Sequence, residues 1–575
     1  MIGRIPITDV SPSVYFGGEF VPVKAIPNEE ITVSATVIRE GHDPFGAEAL
    51  LRDHSGKEIQ RVKMKEVWPG TDRFEGVLTA ACAGDFTFSI EAFDLTPERK
   101  LLTESERFPL RSDRERALVG AWYEFFPRSE GATVKSAGTF ATAAKRLPDV
   151  AAMGFDVLYL PPVHPIGMDY RKGPNNSLTA TASDPGVPWA IGSSAGGHDA
   201  INPELGTMAD FESFVVAAKK NGLEVALDLA LQTSPNHPWV ETHEEWFSKR
   251  ADGSIAYAEN PPKKYQDIYP LNFDNDYQGL LNEVLRIIRL WVSKGVTLFR
   301  VDNPHTKPVH FWQDILAIMY QESPNVIFLA EAFTKPTMMH ALGKAGFHQS
   351  YTYFTWRTSK QELVSYGNEV ARETSAFFRP NFWVNTPDIL PLHLQSGNPA
   401  MFALRAVLAS TLSPSWGMYA GYELYESRAL HEGGEEYADS EKYQIRIRDW
   451  EGAAKKGITL APFIAQLNQI RRDHLALQRL RNLVFHSTGS DAIIAYSKKS
   501  GSDLILVIVN LDPTYAQEAT IHWDMGALGI AEDAFTATDL LDGSIFSWSA
   551  HTFIRLDPSR PSGKVAHIAH VKLPS

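Results

Sequence analysis

The amino-acid sequence predicts a multidomain protein in which a (β/α)8 barrel of the TIM type lies between an N-terminal and a C-terminal β-sandwich. At 575 residues the chain is too long for a single hydrophobic core. Both ends show the period-two alternation of half-buried strands, whereas the middle alternates short apolar runs with amphipathic helices. We therefore expect three domains, at 1–115, 116–484 and 485–575.

The N-terminal module is predicted to be an immunoglobulin-like sandwich. Apolar and polar residues alternate at 31–37 and again at 86–92, and a turn-forming cluster at 69–72 lies between these runs. Short alternating strands separated by turns are typical of a β-sandwich. The charge-rich stretch at 99–116 then predicts a linker to the next domain.

The barrel is predicted from eight strand candidates with helices between them. The clearest helix is 277–294, which carries Leu281, Val284, Leu285 and Ile288 on one face. Eight strand-and-helix units are the number that closes a TIM-type barrel. The strand candidates are 117–126, 155–161, 223–231, 297–302, 325–331, 350–355, 380–385 and 414–420.

A long segment at 233–276, after the third strand candidate, is poor in strand patterns. It is rich in Trp, Pro, Tyr and Asp, and long segments of this kind inside a compact domain usually carry function. We expect it to form a wall of the active site. Beyond the barrel, apolar runs at 492–496, 504–509 and 519–523 predict the C-terminal β-sandwich.

Composition and charge exclude several classes of protein. The formal net charge of −14 argues against a nucleic acid or an anionic membrane as partner. The single cysteine, Cys82, excludes an internal disulfide, fits a reducing compartment and is expected to be buried. The first residues carry no signal-peptide core, and no apolar run approaches the ~20 residues of a membrane span. We therefore expect a cytoplasmic protein.

Cofactor and metal signals are not found in the sequence. There is no phosphate-binding loop, no dinucleotide fingerprint and no cluster with metal-ligand spacing. His164 and His198 lie near barrel loops, where we expect them to be structural or to contact sugar. The sequence therefore predicts neither a cofactor nor a metal site.

Two carboxylates, Asp302 and Glu331, each end a short apolar strand. A charge at the end of a buried strand is unfavourable unless it is used, and catalytic residues of barrels lie at the C-terminal ends of strands. Breaking or making a glycosidic bond usually needs two carboxyl groups, one that attacks the sugar and one that transfers a proton. Arg300, two residues before Asp302, points to the same side and can keep it ionised, although a structural salt bridge explains the spacing equally well. A third acid, Asp388, follows another strand.

Three segments around these acids resemble conserved regions of the α-amylase superfamily of glycoside hydrolases. They are Leu-Phe-Arg-Val-Asp at 298–302, Leu-Ala-Glu at 329–331 and Asn-Thr-Pro-Asp at 385–388. The resemblance implies that Asp302 is the nucleophile, Glu331 the general acid/base and Asp388 a transition-state stabiliser that holds sugar hydroxyls. It also implies that Arg300 orients Asp302, and it places another conserved region at Asp228.

The sequence departs from the amylase pattern at three points. Gln232-Thr233 stands where amylases carry Asn-His, Pro387 replaces a His before Asp388, and Asn303 follows the nucleophile in place of a small residue. These departures are shared by one subfamily. The segments 299–308 (Phe-Arg-Val-Asp-Asn-Pro-His-Thr-Lys-Pro) and 257–270 (Tyr-Ala-Glu-Asn-Pro-Pro-Lys-Lys-Tyr-Gln-Asp-Ile-Tyr-Pro) resemble the α-1,4-glucan:maltose-1-phosphate maltosyltransferases.

The second segment fits a donor that carries a phosphate. Lys263, the Tyr265 hydroxyl and the amides of Asn260 and Asn303 are suitable donors for an anomeric phosphate, although adjacent lysines alone more often mark a solvated loop. The resemblance adds sugar contacts elsewhere, of which Lys172 could also be plain loop polarity. These contacts are Lys172, Asn176, Gln232, Asp267, Lys442 and Tyr443.

The resemblance implies retaining transfer of a maltosyl unit from α-maltose 1-phosphate to the non-reducing end of an α-1,4-glucan, with release of phosphate. An amylase-like hydrolase and a sucrose-phosphorylase-like enzyme use the same three acids and stay open as alternatives. A carbohydrate-binding protein on an inactive scaffold is disfavoured because all three acids are present. The family also implies a homodimer built partly by a helical bundle in the N-terminal module. Residues 94–117 leave no room for that bundle, which puts the dimer in doubt.

Overall fold

The computed structural model describes residues 4–260, 263–559 and 564–573. Within these residues, eight parallel strands form one sheet in the order 6-5-4-3-2-1-8-7. A parallel bridge between Ser350 and Pro380 links the sixth strand to the seventh and closes the ring, so the predicted barrel is confirmed. The barrel strands are Gly120–Glu124, Val157–Leu160, Glu224–Leu229, Leu298–Asp302, Ile327–Glu331, Gln349–Ser350, Asn381–Trp383 and Ser415–Tyr419.

Helices cover the outside of the barrel. The predicted helix at 277–294 is found as Tyr277–Ser293, where it buries the four predicted apolar residues and begins at Asp276, whose carboxylate accepts a hydrogen bond from the Gly279 amide at 3.0 Å. The α-helices of this domain are Phe140–Ala143, Leu147–Ala152, Met208–Lys220, Pro238–Thr242, Tyr277–Ser293, Val309–Glu322, Pro336–Ala345, Lys360–Asn368, Pro399–Leu412, Trp450–Lys456 and Ala461–Asp473.

The sixth strand is shorter than predicted. Only Gln349–Ser350 pairs with the fifth strand, and Tyr353–Trp356 forms a 3-10 turn, so the strand predicted at 350–355 is wrong beyond Ser350. The aromatic and β-branched residues there are typical of strands. Packing decides otherwise, because the turn stacks the Phe354 ring on Phe382 of the seventh strand at 4.5 Å between centroids.

The segment after the third strand is built from short antiparallel pairs. Gln232–Thr233 pairs with Tyr269–Pro270, which ties the two ends of the segment together. At its centre, Ala258–Asn260 pairs with Lys263–Tyr265. The segment is therefore a folded flap rather than an unstructured loop.

The N-terminal strands form two larger sheets and one hairpin that share a hydrophobic core. Burial alternates along Glu30–Val37, as the sequence predicts. Cys82 is exposed in the bend before Gly84–Asp94, so its expected burial is wrong. The strands are Ile7–Ser11, Val14–Phe16, Glu19–Val21, Val23–Ala25, Glu30–Val37, Phe45–Asp53, Glu58–Lys63, Lys65–Glu66, Arg73–Thr79, Gly84–Asp94, Thr103–Glu104 and Phe108–Ser112.

The C-terminal strands form a sheet in which Leu483–Thr488 changes partner midway, from Ile493–Ser500 to Gln517–His522. One face packs on the barrel through Ile494 and Tyr496, and the other packs in a separate core. The helix Met525–Leu528 follows the fourth strand. The strands are Leu483–Thr488, Ile493–Ser500, Asp503–Asn510, Gln517–His522, Ala534–Asp539, Ile545–Ser549, His551–Leu556 and Ala566–Lys572.

Arg481, just before the first C-terminal strand, contacts both the N-terminal module and the barrel domain. Its guanidinium contacts the Glu29 carboxylate and donates to the Lys24 carbonyl at 2.8 Å in the N-terminal module, and to the Ser375 carbonyl at 2.7 Å in the barrel domain. None of the helices in the described part of the chain combines the length and apolar character that crossing a bilayer requires.

Candidate active site

The inward-facing columns of the barrel change from apolar to charged towards the C-terminal ends of the strands. Every second residue of a strand points inward. In the fourth strand, Leu298 of the interior cluster is followed by Arg300 and Asp302, and in the fifth strand Leu329 is followed by Glu331. Asp302 and Glu331 are partners in the register of these two strands. The fold therefore places the two predicted acids side by side.

Arg300 is the centre of a buried ion network. Its Nη1 donates to Asp302 Oδ1 at 2.8 Å and to Asp228 Oδ2 at 2.9 Å, and its Nη2 lies 3.4 Å from Glu331 Oε1. Arg300 and Asp302 are each 6% exposed. One guanidinium thus contacts three carboxylates, and the predicted contact between Arg300 and Asp302 is present.

Asp228 sits below this pair and is fully enclosed. Its Oδ2 also accepts hydrogen bonds from the Tyr159 hydroxyl at 2.5 Å and from the Trp189 indole at 3.3 Å. Burial raises the pKa of Asp228, and the Arg300 charge opposes that rise. Such a group holds Arg300 in place from beneath rather than facing the cavity.

Glu331 has the electrostatics of a proton-transfer group. Burial, opposed by Arg300 and reinforced by the charge of Asp302, raises the pKa of Glu331 to about 7. The backbone N–H of Asn303 donates a hydrogen bond to Glu331 Oε2 at 3.1 Å. A carboxyl group with a pKa close to neutral can act as an acid in one step and a base in the next.

Asn303 and Lys307 shape the backbone directly after Asp302. Asn303 adopts the left-handed conformation, with φ of 42°, which turns its amide towards Glu331. The buried Lys307 ammonium donates to the carbonyls of Asp302 and Asn303, both at 3.2 Å. Burial lowers the pKa of Lys307, and the nearby carboxylates oppose that effect. These contacts fix the turn that carries the predicted nucleophile.

A cavity of about 710 Å³ opens above these residues. Arg300 lies beneath the cavity floor. The side chains of Asn260 and Lys263 lie outside the described residues. The other predicted site residues all line the cavity: Lys172, Asn176, Gln232, Tyr265, Asp267, Asp302, Asn303, Glu331, Asp388, Lys442 and Tyr443.

Lysines from two different loops enter the cavity beside carboxylates. Lys442 Nζ donates to Asp388 Oδ1 at 2.8 Å, and this ion pair, outweighing burial, raises the pKa of Lys442. Lys172 is 3% exposed and opposes the rise that burial causes in the pKa of Asp267. Among the described residues, Asp267 Oδ1 is buried without a hydrogen-bond partner. An unpaired buried acceptor is unfavourable, so a ligand hydroxyl is its natural partner.

Three buried histidines, His164, His198 and His237, form what we term the histidine cluster behind the cavity wall. The Trp239 amide donates to His237 Nδ1 at 3.0 Å, His237 Nε2 lies 3.1 Å from His198 Nδ1, and His198 Nε2 lies 2.8 Å from the Ala230 carbonyl. Burial lowers the pKa of His164 to about 3, that of His198 to about 4 and that of His237 to about 2. The rings are therefore neutral, and they support the backbone just before Gln232.

Sequence reasoning missed several residues that face the cavity. Trp189 and Glu436 come from loops without periodic pattern, so no local signal marks them. Lys307 lies within the segment 299–308, which resembles the maltosyltransferases, and its position five residues after Asp302 is the sequence signal that marks it. Asp228, which lies beneath the cavity, is marked in the sequence only by its resemblance to a conserved region.

Solved structures with a similar fold include the α-amylase of Geobacillus thermoleovorans in complex with acarbose. It aligns with a TM-score of 0.60 and 15% identity, over 79% of this chain and 99% of that chain. Trehalose-6-phosphate hydrolase of Bacillus licheniformis aligns with a TM-score of 0.60 and 14% identity, over 80% of this chain and 100% of that chain. At such identities the likeness shows the fold alone.

Two family models match the ends of the chain. One described as "Alpha-1,4-glucan:maltose-1-phosphate maltosyltransferase, domain N/S" matches residues 3–94. One described as "GLGE, C-terminal" matches residues 485–571. Both matched segments lie outside the barrel, so they support the family assignment independently of the sequence motifs around Asp302.

Curated relatives match over the whole chain. Alpha-1,4-glucan:maltose-1-phosphate maltosyltransferase 2 of Streptomyces coelicolor is 50% identical, with 100% of this chain and 97% of the relative covered. The maltosyltransferase of Mycolicibacterium smegmatis is 44% identical, with 99% and 97% covered. The first alignment spans 653 positions against 575 residues here, so at least 78 positions have no residue in this chain. Identity of this extent shows that the chain belongs to the family of α-1,4-glucan:maltose-1-phosphate maltosyltransferases.

Proposed function

We propose that this chain is a retaining glycosyltransferase that moves a maltosyl unit from α-maltose 1-phosphate to the non-reducing end of an α-1,4-glucan and releases phosphate. The observation that carries the proposal is the in-register pair Asp302 and Glu331, held by one buried guanidinium at the base of a cavity. Membership of the maltosyltransferase family supports the choice of donor and acceptor.

In the first half of the reaction, Asp302 attacks the anomeric carbon of the donor. The carbon–phosphate oxygen bond breaks, phosphate leaves with the electron pair, and a β-linked maltosyl-enzyme forms. Arg300 donates to Asp302 Oδ1, which fixes the carboxylate and leaves its second oxygen to attack. Phosphate is a good leaving group, so this half requires little proton transfer.

In the second half, Glu331 removes the proton from the 4-hydroxyl of the acceptor, and that oxygen attacks the same carbon. Two inversions give net retention. Retaining enzymes hold their two carboxyl groups ~5–5.5 Å apart, and neighbouring strands in a sheet lie about 4.8 Å apart. The register of Asp302 with Glu331 fits that separation. We assign Asp388, paired with Lys442, to the sugar hydroxyls.

Donor recognition falls to the walls of the cavity. We assign the phosphate to Asn260, Lys263, Tyr265 and Asn303, of which Tyr265 and Asn303 line the same cavity as Asp302. The unpaired oxygen of Asp267 favours a sugar hydroxyl nearby. The remaining sugar contacts in this proposal are Lys172, Asn176, Gln232, Lys442 and Tyr443.

The test is phosphate release from α-maltose 1-phosphate in the presence of glycogen, followed together with chain length. We expect phosphate and glucan chains longer by two glucose units. Phosphate with free maltose would identify a hydrolase, and turnover of sucrose with phosphate would identify a phosphorylase. Asp302→Asn should abolish release, whereas Asp43→Asn, which changes an exposed carboxylate of the N-terminal module, should not. No phosphate release by the unaltered chain would refute the proposal.

The proposal extends to the domain plan and the setting of the enzyme. We infer an immunoglobulin-like sandwich at 1–115, the catalytic barrel with its inserted wall at 116–484 and a second sandwich at 485–575; the shared cores and alternating burial of the flanking strands support this plan. A single cysteine fits a cytoplasmic enzyme. The mechanism needs no dimer, and the positions missing relative to the Streptomyces coelicolor enzyme keep the family's dimer in doubt.

A further inference from the structure

A group of potential metal ligands lies outside the catalytic cavity, where the barrel domain meets the C-terminal sheet. His474 is the residue at which the last barrel helix, Ala461–Asp473, ends. Asp503 begins the strand Asp503–Asn510, and His570 lies in the neighbouring antiparallel strand Ala566–Lys572. The fold thus brings three distant segments of the chain to one point.

The three side chains present one ligand atom each at suitable distances. His474 Nδ1 lies 2.8 Å and His570 Nε2 lies 3.5 Å from Asp503 Oδ1, and the three atoms lie within 4.8 Å of one another. Two ligands on a tetrahedral Zn²⁺, with bonds of ~2.0–2.1 Å, are about 3.3 Å apart. Small side-chain shifts would therefore bring all three atoms onto one ion.

The surroundings prepare these groups for a cation. Asp503 Oδ2 accepts a hydrogen bond from the Ala476 amide at 2.9 Å, which orients the carboxylate and leaves Oδ1 directed at the histidines. Lys572, two residues after His570, carries a positive charge that opposes a cation.

We propose that His474, Asp503 and His570 bind a divalent first-row transition ion of the Zn²⁺ type, which fastens the end of the last barrel helix to the C-terminal sheet. Two imidazoles and one carboxylate suit Zn²⁺ far better than Mg²⁺ or Ca²⁺, which prefer oxygen ligands. Three protein ligands leave a fourth position for water. None of these three residues lines the described cavity, so the ion acts on stability and not on the sugar chemistry.

The test uses the full chain, stripped by a chelator and then titrated with Zn²⁺ by calorimetry and with Co²⁺ by visible absorption. We expect one ion per chain, a Co²⁺ spectrum typical of low coordination with nitrogen ligands, and a rise in the thermal unfolding midpoint on adding Zn²⁺. His570→Gln and Asp503→Asn should each weaken binding by at least about tenfold. Both variants should also lose the rise in midpoint.

A matched control is available in a second histidine pair of the same module. His522 Nδ1 and His551 Nδ1 lie 2.8 Å apart on exposed strands. His522→Ala should leave the binding stoichiometry and the rise in midpoint unchanged. Absence of saturable Zn²⁺ binding would overturn the proposal, as would binding lost in His522→Ala and retained in His570→Gln. Circular dichroism of each stripped variant checks that a loss of binding does not reflect a loss of fold.

Discussion

Replacing Glu331 by Gln should separate the two halves of the proposed reaction. The glutamine side chain has the same size as glutamate. Its carbonyl oxygen can still accept the hydrogen bond from the backbone N–H of Asn303, so the turn after Asp302 should persist. It cannot accept the proton of the acceptor hydroxyl. Because phosphate leaves without much help from an acid, the first half should continue while the second half stops.

The size of the effect follows from the environment of Glu331. A positioned general base contributes roughly 10²–10⁴-fold, so steady-state turnover of Glu331→Gln should fall by that factor. With a pKa of about 7, the fraction of Glu331 that is ionised rises about tenfold from pH 6 to pH 8. The kcat of the unaltered enzyme should rise by about the same factor if the second half limits turnover, and that of Glu331→Gln should be flat.

The assay combines rapid-quench phosphate release with intact-mass spectrometry. We expect a burst of one phosphate per Glu331→Gln chain and a mass increase of one maltosyl unit, mapped by peptide analysis to Asp302. If the variant releases phosphate more slowly and shows no initial burst, Glu331 acts mainly in the first half of the reaction. An adduct on another residue, or a pH profile unchanged by the substitution, would refute the assigned roles.

Three further predictions concern residues around the site. Lys307→Met should reduce kcat/KM by roughly 10–100-fold, since it removes charged hydrogen bonds to the carbonyls beside the nucleophile; an unchanged kcat/KM, measured well below the unfolding midpoint of the variant, would contradict that role. Asn303→Gly and Asn303→Ala both remove the amide side chain and should raise the KM for the donor. The Ala variant should be about 1 kcal/mol less stable than the Gly variant in urea unfolding, because alanine is disfavoured in the left-handed backbone conformation of this position. Equal stability of the two variants would contradict that explanation. The histidine cluster is neutral in the fold and has lowered pKa values, so its stabilisation is present above the unfolded pKa of ~6.5 and is lost as pH falls below it. The free energy of unfolding should drop by about 4 kcal/mol per pH unit between roughly pH 6 and pH 4, and a flat pH dependence there would show that the rings are not buried neutral groups.

The barrel was largely predictable because its strands are continuous apolar runs bounded by helices. The fourth and fifth strands end at Asp302 and Glu331 as predicted, since a charge after a buried run marks the end of a strand. The prediction of the sixth strand was wrong beyond Ser350, because the stacking of Phe354 on Phe382, a tertiary contact, overrides the local preference for a strand. Local patterns do not record contacts of that kind.

Residues of the site were predictable from the sequence only where a chemically reactive side chain stands at the end of a strand pattern. Trp189 comes from a loop, and loops carry no periodicity from which a side chain's direction can be deduced. The proposed metal ligands were missed for a related reason. His474, Asp503 and His570 have no ligand spacing in the sequence, and the sequence predicted no metal site, because only the packing of the C-terminal sheet on the barrel brings them together.

The charged groups of the cavity come from two levels of the fold. Asp302 and Glu331 end barrel strands, whereas Lys172 and Lys442 come from loops beyond the strand ends. In the proposed reaction, the uncharged maltosyl end of the donor faces the carboxylates at the bottom of the cavity and the anionic phosphate faces away from them, which favours one orientation of the donor before any hydrogen bond forms. After bond cleavage in that reaction, the carboxylates at the bottom of the cavity should repel the freed phosphate and favour its exit. In the proposed reaction the acceptor hydroxyl attacks the carbon that the phosphate has left, so phosphate exit must precede acceptor entry at that position.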